Sequence, residues 1–452
     1  MGESSMRQRK AGKQAPQTAA GDVENPAKNK KLLAQQQLND RWKSWWTRIF
    51  WSWVLVLSFV AIIYGGHLYV SLMVLGIEVA CFYEINKISY KANKDREAEL
   101  AKQQNKKVTR VPFVRTINWY FLFVANYFLY AKGVFTILAK PVARGETDLF
   151  RSLPLIKHNT DFLNRLASHH LFFSFLLYIV GIVVFVLTLR NGHYRRQFSQ
   201  FGWTHVTVVL LGSSARAIFS NITEGLVWFL LPVFIVICND CTAYIFGFFF
   251  GHTPLIELSP KKTWEGFLGG FISTMFIGYG FALLFGHFDY FTCPAVFSIT
   301  PSVHTISCPP NPIFEWQTYP IPAELRAVIP SLPESYDTKP IALHGLVFAL
   351  FGSLVAPFGG FMASGFKRAF KVKDFGDLIP GHGGFMDRFD CQFLMGSFTY
   401  VYYQSFIAPI FYFDVNTIAT HLDKLSADSK LELLQVLQAS IAGDKAQGQA
   451  IH

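Results

Sequence analysis

Apolar runs long enough to cross a bilayer core, roughly 20 residues each, recur along the whole chain between short polar segments. Read in order, they predict spans at Phe50–Gly65, Leu68–Ile85, Ile117–Leu138, Leu171–Leu189, Val206–Phe219, Leu226–Gly251, Phe267–Phe285, Leu343–Ala363 and Phe393–Phe413. The expected fold is therefore an all-α polytopic membrane protein with about nine transmembrane helices, the first two forming a tight hairpin. Trp42, Trp45, Trp46, Trp51 and Trp53 crowd the start of the first span, as an interfacial aromatic belt does.

Basic residues orient these spans. Residues 1–48 carry ten Lys/Arg against four acids, and residues 86–115 carry nine against three. The positive-inside rule puts both on the cytosolic side, and the two spans between them agree. Counting onward leaves Arg190–Arg196, Ser259–Thr263 and Ser364–Asp390 cytosolic and the 287–340 loop lumenal. The chain then divides into a disordered basic tail (1–48), an N-terminal transmembrane region (49–200) with its basic loop, a catalytic transmembrane domain (201–413) and a tail (414–452). That last tail holds a short amphipathic helix opening near Ser426 or Asp428.

Composition agrees with the membrane reading. Of 452 residues, 51% are hydrophobic and 16% charged, with 46 Phe and a mean hydropathy of +0.27; soluble domains carry about a quarter charged residues. The net charge of +11 lies largely in the two juxtamembrane clusters, which suits anionic lipid headgroups rather than nucleic acid. Cys238 and Cys241 form a CxxC inside an apolar run and read as small core residues. Cys293 and Cys308 share the 287–340 loop, where a disulfide is the hypothesis if that side is oxidising.

Candidate chemistry concentrates in Ser364–Asp390. Lys367, Arg368, Lys371, Lys373 and Arg388 sit there with Asp374, Asp377, Asp387 and Asp390, around the turn Pro380-Gly381-His382-Gly383-Gly384. Carboxylates hold Mg²⁺, the metal bridges phosphate oxygens, and bases offset the remaining charge. Glycines let backbone N–H groups approach an anion. A charged loop with internal salt bridges is the competing explanation. Asp387 and Asp390, three apart, would share a helix face, at a cost unless a cation neutralises them.

Three further groups stand out. Asn239, Asp240 and Tyr244 lie inside a span, where an ionisable residue marks a functional site by default; Gly247 there suits tight helix packing. Ser259, Lys261, Lys262 and Thr263 precede a helix that Thr263 could cap and whose N-terminus favours anions. Arg216 could meet a lipid phosphate at the interface, or simply snorkel.

Ser364-x-x-Lys367-Arg368-x4-Lys373-Asp374-x-Gly376, followed by Pro380-x-His382-Gly383-Gly384-x2-Asp387-Arg388-x-Asp390, resembles the signature of the phosphatidate cytidylyltransferases, also called CDP-diacylglycerol synthases. The stretch from Asn239-Asp240 through Ser259-Pro260-Lys261-Lys262-Thr263-Trp264-Glu265-Gly266 resembles the same family's upstream block. The resemblance covers roughly residues 200–410; the basic tail and the extended loop look like the eukaryotic branch.

It implies a Mg²⁺-dependent reaction of CTP with phosphatidic acid to give CDP-diacylglycerol and pyrophosphate, for phospholipid synthesis. It implies Asp387, Asp390, Asp240 and Asp374 around the metal. Lys367, Arg368, Lys373, Arg388 and His382 would work at the reacting phosphates. Substrate would be held by Ser259, Lys261, Lys262, Thr263, Asn239, Tyr244, Ser364, Gly383, Gly384 and Arg216. The expected setting is the endoplasmic reticulum membrane with the site facing the cytosol. CTP, phosphatidic acid and membrane lipids are the partners, a homodimer is left open, and no nucleic acid is expected. The rivals are a CTP-dependent polyprenol or phytol kinase, a transporter, and a non-catalytic lipid-binding scaffold.

Overall fold

The computed structural model describes residues 26–103, 113–144, 160–295, 308, 311–321, 323–328, 333–379 and 383–408, with scattered positions between 422 and 438. The chain divides into two units, Met1–Leu55 and Val56–His452. The described part of the first is helical, with exposed tryptophans whose rings meet edge to face. Its helix begins at Pro26, inside the stretch expected as a tail.

Helices make up nearly all of the rest. In chain order they are α1 (Pro26–Gly65), α2 (His67–Gln103), α3 (Val114–Arg144), α4 (Thr160–Ser168), α5 (His170–Leu187), α6 (Tyr194–Glu224), α7 (Val227–Phe250), α8 (Trp264–Phe285), α9 (Pro340–Leu354), α10 (Pro357–Ala369) and α11 (Met386–Tyr402). Gly66 alone, at a φ of +96°, separates α1 from α2, a link as short as the sequence suggested. Pro340 and Pro357 each open a helix, where their missing N–H costs nothing.

Among the described residues, seven segments are long and apolar enough to cross a membrane: Trp45–Gly65, His67–Gln103, His170–Leu187, Tyr194–Glu224, Val227–Phe250, Trp264–Phe285 and Pro340–Ala369. The expected nine differ by Ile117–Leu138 and Phe393–Phe413. Both begin on helices, α3 and α11, but the Phe393–Phe413 run extends past the described residues, and α11 gives way to a π turn at Tyr403–Ile407. The multi-pass architecture stands, while the count of nine does not follow from these helices.

The core centres on α7. Val227, Leu230, Leu231 and Ile235 are fully or almost fully buried against α8, α9 and α11. Close approach explains the glycines of the α7–α8 seam: a Cβ on Gly266 would lie 2.6 Å from the Ala243 carbonyl oxygen and 3.0 Å from Gly247 Cα. Gly247 is thus a packing residue, as expected.

α2 packs on α6, and α6 on α11. A polar seam ties α2 to α3 and α6: the Asn86 side-chain oxygen accepts from Asn118 Nδ2 and Gln200 Nε2, both at 3.2 Å. The 287–340 loop carries the Cys293–Cys308 disulfide that its sequence suggested. It also carries a feature not anticipated, an antiparallel ribbon of β1 (Gln317–Pro320) and β2 (Ser335–Thr338). In the tail, Ser426 Oγ accepts from Ser429 N at 3.3 Å, an N-cap at one of the two positions expected.

Candidate active site

Three pieces of chain distant in sequence meet near the middle of α7. The first is Asp240, in the middle of α7 next to the buried Asn239. The second is the turn between α7 and α8. It closes through Lys262 N donating to the Ser259 carbonyl at 3.0 Å, and Thr263 Oγ1 caps α8 by accepting from Gly266 N at 3.2 Å. Lys262 Nζ then lies 4.8 Å from the centre of the Phe361 ring on α10. The third is the end of α10, the following turn and the start of α11.

In that third piece, Asp387 is fully engaged. Its Oδ1 pairs with Lys367 Nζ at 2.7 Å, and its Oδ2 accepts from Phe375 N at 2.9 Å and Gly384 N at 3.2 Å. It therefore knots the end of α10, the turn and α11 together. Asp374 lies on the same turn beside Gly383, whose φ is +85°. Asp390, one helical turn further along α11, is set differently. Its Oδ1 accepts from Cys391 N at 2.8 Å. Burial pushes its carboxyl up to about 6, the nearby Asp240 adds to this, and Lys367 opposes it.

Of the four aspartates expected around one metal, Asp374 and Asp387 share the turn at Gly383, whereas Asp390 faces α10, where a Cβ on Gly360 would lie 3.5 Å from its Oδ2. Lys261, Arg368, Lys373 and Arg388 lie at the exposed rim, and Ser364 is half-buried in the last turns of α10. Pro380, Gly381 and His382 lie outside the described residues.

Other expected residues sit elsewhere. Asn239 is buried, its Oδ1 accepting from Thr274 Oγ1 at 3.2 Å in the α7–α8 seam. Tyr244 is 74% exposed on the outer face of α7, stacked on Phe248. Arg216 bonds to Ser220, four residues along α6, and lies over the Phe219 ring rather than joining this cluster. Cys238 and Cys241 are free thiols, and Cys241 is exposed, so the expected core pair is half outward-facing.

One participant was missed. Glu84 of α2 is 1% exposed and accepts from Phe385 N at 3.0 Å and Met386 N at 2.9 Å. Its signal was present in the sequence, an acid inside an apolar run. It carried no motif and lay some 300 residues from the segment that it serves.

A model of the cytidylyltransferase family matches residues 46–406. The chain is 44% identical over 370 residues to phosphatidate cytidylyltransferase 1 of Homo sapiens, covering 82% of this chain and 74% of that protein. It is 41% identical over 374 residues to phosphatidate cytidylyltransferase 2 of Homo sapiens, covering 83% and 77%. A putative phosphatidate cytidylyltransferase of Schizosaccharomyces pombe is 40% identical over 392 residues, covering 87% and 83%. With a match this long, the chain belongs to the cytidylyltransferase family.

Proposed function

We propose that this chain transfers the cytidylyl group of CTP to phosphatidic acid, releasing pyrophosphate and forming CDP-diacylglycerol. The observation that carries the reading is the meeting of the two motif blocks on α10: Lys262 Nζ lies 4.8 Å from the centre of the Phe361 ring, and a Cβ on the neighbouring Gly360 would lie 3.5 Å from Asp390 Oδ2. A phosphatidate oxygen bonds to the α-phosphorus of CTP as the bond to the bridging α–β oxygen breaks, and pyrophosphate leaves with that electron pair. Phosphatidic acid brings its own oxyanion, so no side chain has to serve as nucleophile. The protein's task is positioning and charge stabilisation.

Lys262 and Arg388 hold the nucleotide phosphates, and Lys367 fixes the turn through Asp387. Arg368 and Lys373 at the rim attract the anionic substrates. Mg²⁺ suits Asp240 and Asp390. Among the described residues no three His, Cys, Asp or Glu side chains gather into a metal cluster. Mg²⁺ is commonly held by one or two carboxylates together with substrate phosphates, and a pair of aspartates is enough for that. When bound, the ion supplies neutralisation of the phosphate charge that builds up in transfer. The setting that fits best is the endoplasmic reticulum membrane with the site facing the cytosol. There CTP is at hand, and the product would feed phospholipid synthesis.

Purified protein given CTP, phosphatidic acid and Mg²⁺ should release pyrophosphate only when the lipid is present. Release of CDP instead would identify a lipid kinase, and no turnover would leave a transporter or scaffold. Asp240→Asn and Asp390→Asn should each lower kcat by about 100-fold or more, the scale of losing a group that stabilises developing charge. Undiminished turnover in both would refute the metal assignment.

A further inference from the structure

α11 carries Asp387 and Asp390 but lacks a cap of its own. Its N-cap residue is Phe385, which has no side-chain acceptor, so the first backbone N–H groups need a partner from outside the helix. Glu84 supplies it, one carboxylate oxygen to Phe385 N and the other to Met386 N. A buried anion at this end also opposes the positive pole of the helix.

The turn before α11 is shaped around the same carboxylate. A Cβ on Gly376 would meet Glu84 Oε1 at 2.6 Å, and its three nearest atoms would all be Glu84's. A Cβ on Gly384 would lie 2.5 Å from Glu84 Oε2. Two glycines of the motif therefore leave room for a side chain from another helix. α2 is held in turn: two residues beyond Glu84, Asn86 accepts from α3 and α6, and Ser89 Oγ reaches Gln200 Oε1 at 3.4 Å.

We infer that Glu84 is a positioning residue, which sets the first turn of α11 and thereby the placement of Asp387 and Asp390. It touches no substrate; it acts through the helix that carries them. The inference rests on the cytidylyl-transfer reading above. It assigns part of the site to α2, which lies outside both motif blocks.

The test uses full-length protein and the pyrophosphate assay, with hydrogen exchange as a second readout. Glu84→Gln keeps the shape but presents an amide NH₂ to one of the two backbone donors. It should lower kcat by about 10–100-fold, the scale seen when a residue supporting metal ligands is changed. It should also raise the half-saturating Mg²⁺ concentration while changing the KM for CTP less than about threefold. Amide protection of the 385–391 segment should fall, with the rest of the chain unchanged.

Gly376→Ala should show the same pattern. Shortening the acid should relieve it, so that Glu84→Asp/Gly376→Ala is more active than Gly376→Ala alone, a non-additivity that marks direct contact. An inactive wild type would sink the parent reading and not this one. With an active wild type, three results would each overturn the inference. One is wild-type kinetics in Glu84→Gln. Another is equal losses in every kinetic constant with unchanged protection at 385–391. The third is global unfolding of Glu84→Gln, which would make the residue a brace for the whole fold.

Discussion

Lys371 has a φ of +53°, in the left-handed region that glycine favours. It ends α10 in a Schellman arrangement: Val372 N donates to the Lys367 carbonyl at 2.9 Å and Lys371 N to the Arg368 carbonyl at 3.1 Å. Val372 then packs into a small cluster with Ile88, Ala363 and Phe375. The motif thereby aims Lys367 at Asp387 and starts the turn that bears Asp374. Lys371→Gly should remove the cost of a side chain in the left-handed region, about 1–2 kcal/mol, read as a higher thermal midpoint in detergent with activity retained. A lower midpoint would mean that the Lys371 side chain contributes more than its backbone costs. The bases here were legible as a charged group, but not their division of labour. Lys367 is committed to Asp387, and only the folded turn decides that.

The α7–α8 pair is the element on which the proposed site depends. Asp240 sits on one helix, and Lys262 and Thr263 lead into the other, so their separation fixes where Lys262 can reach. Gly266 has no space for a side chain against Ala243 and Gly247. Gly266→Val should force the helices apart and cost about 1–3 kcal/mol, the usual scale of overpacking. It should also weaken CTP binding, because Lys262 moves with the seam. Thermal unfolding and the KM for CTP check the two parts; an unchanged midpoint would mean that α8 shifts freely. Gly247 and the Thr263 cap were readable from spacing and residue type alone. Tyr244 and Asn239 were not, since a helix presents successive residues to different sides and nothing local says which side holds the ligand.

For the whole molecule, the Cys293–Cys308 bridge ties the 287–340 loop at a separation of 15 residues. This part of the chain lies between the two motif blocks in sequence and belongs to neither. Replacing both cysteines by serine should lower stability by about 2–4 kcal/mol while leaving the KM for CTP unchanged. Thermal unfolding without reductant and the pyrophosphate assay measure the two effects. An altered KM would show that the loop reaches the site.

By itself the sequence determined the helical, multi-pass class, the short link between the first two helices and the loop cysteines worth pairing. These are local properties, written in the length of apolar runs and in the types of neighbouring residues. The tertiary structure alone decided that Asp387 ties the turn together while Asp390 faces α10, and that Arg216 stands apart. It also decided that Glu84 completes the Ser364–Asp390 segment from a distant helix. Those outcomes depend on which faces of α2, α6, α7 and α11 are pressed together, and hydrophobic packing fixes that only once the whole chain has folded.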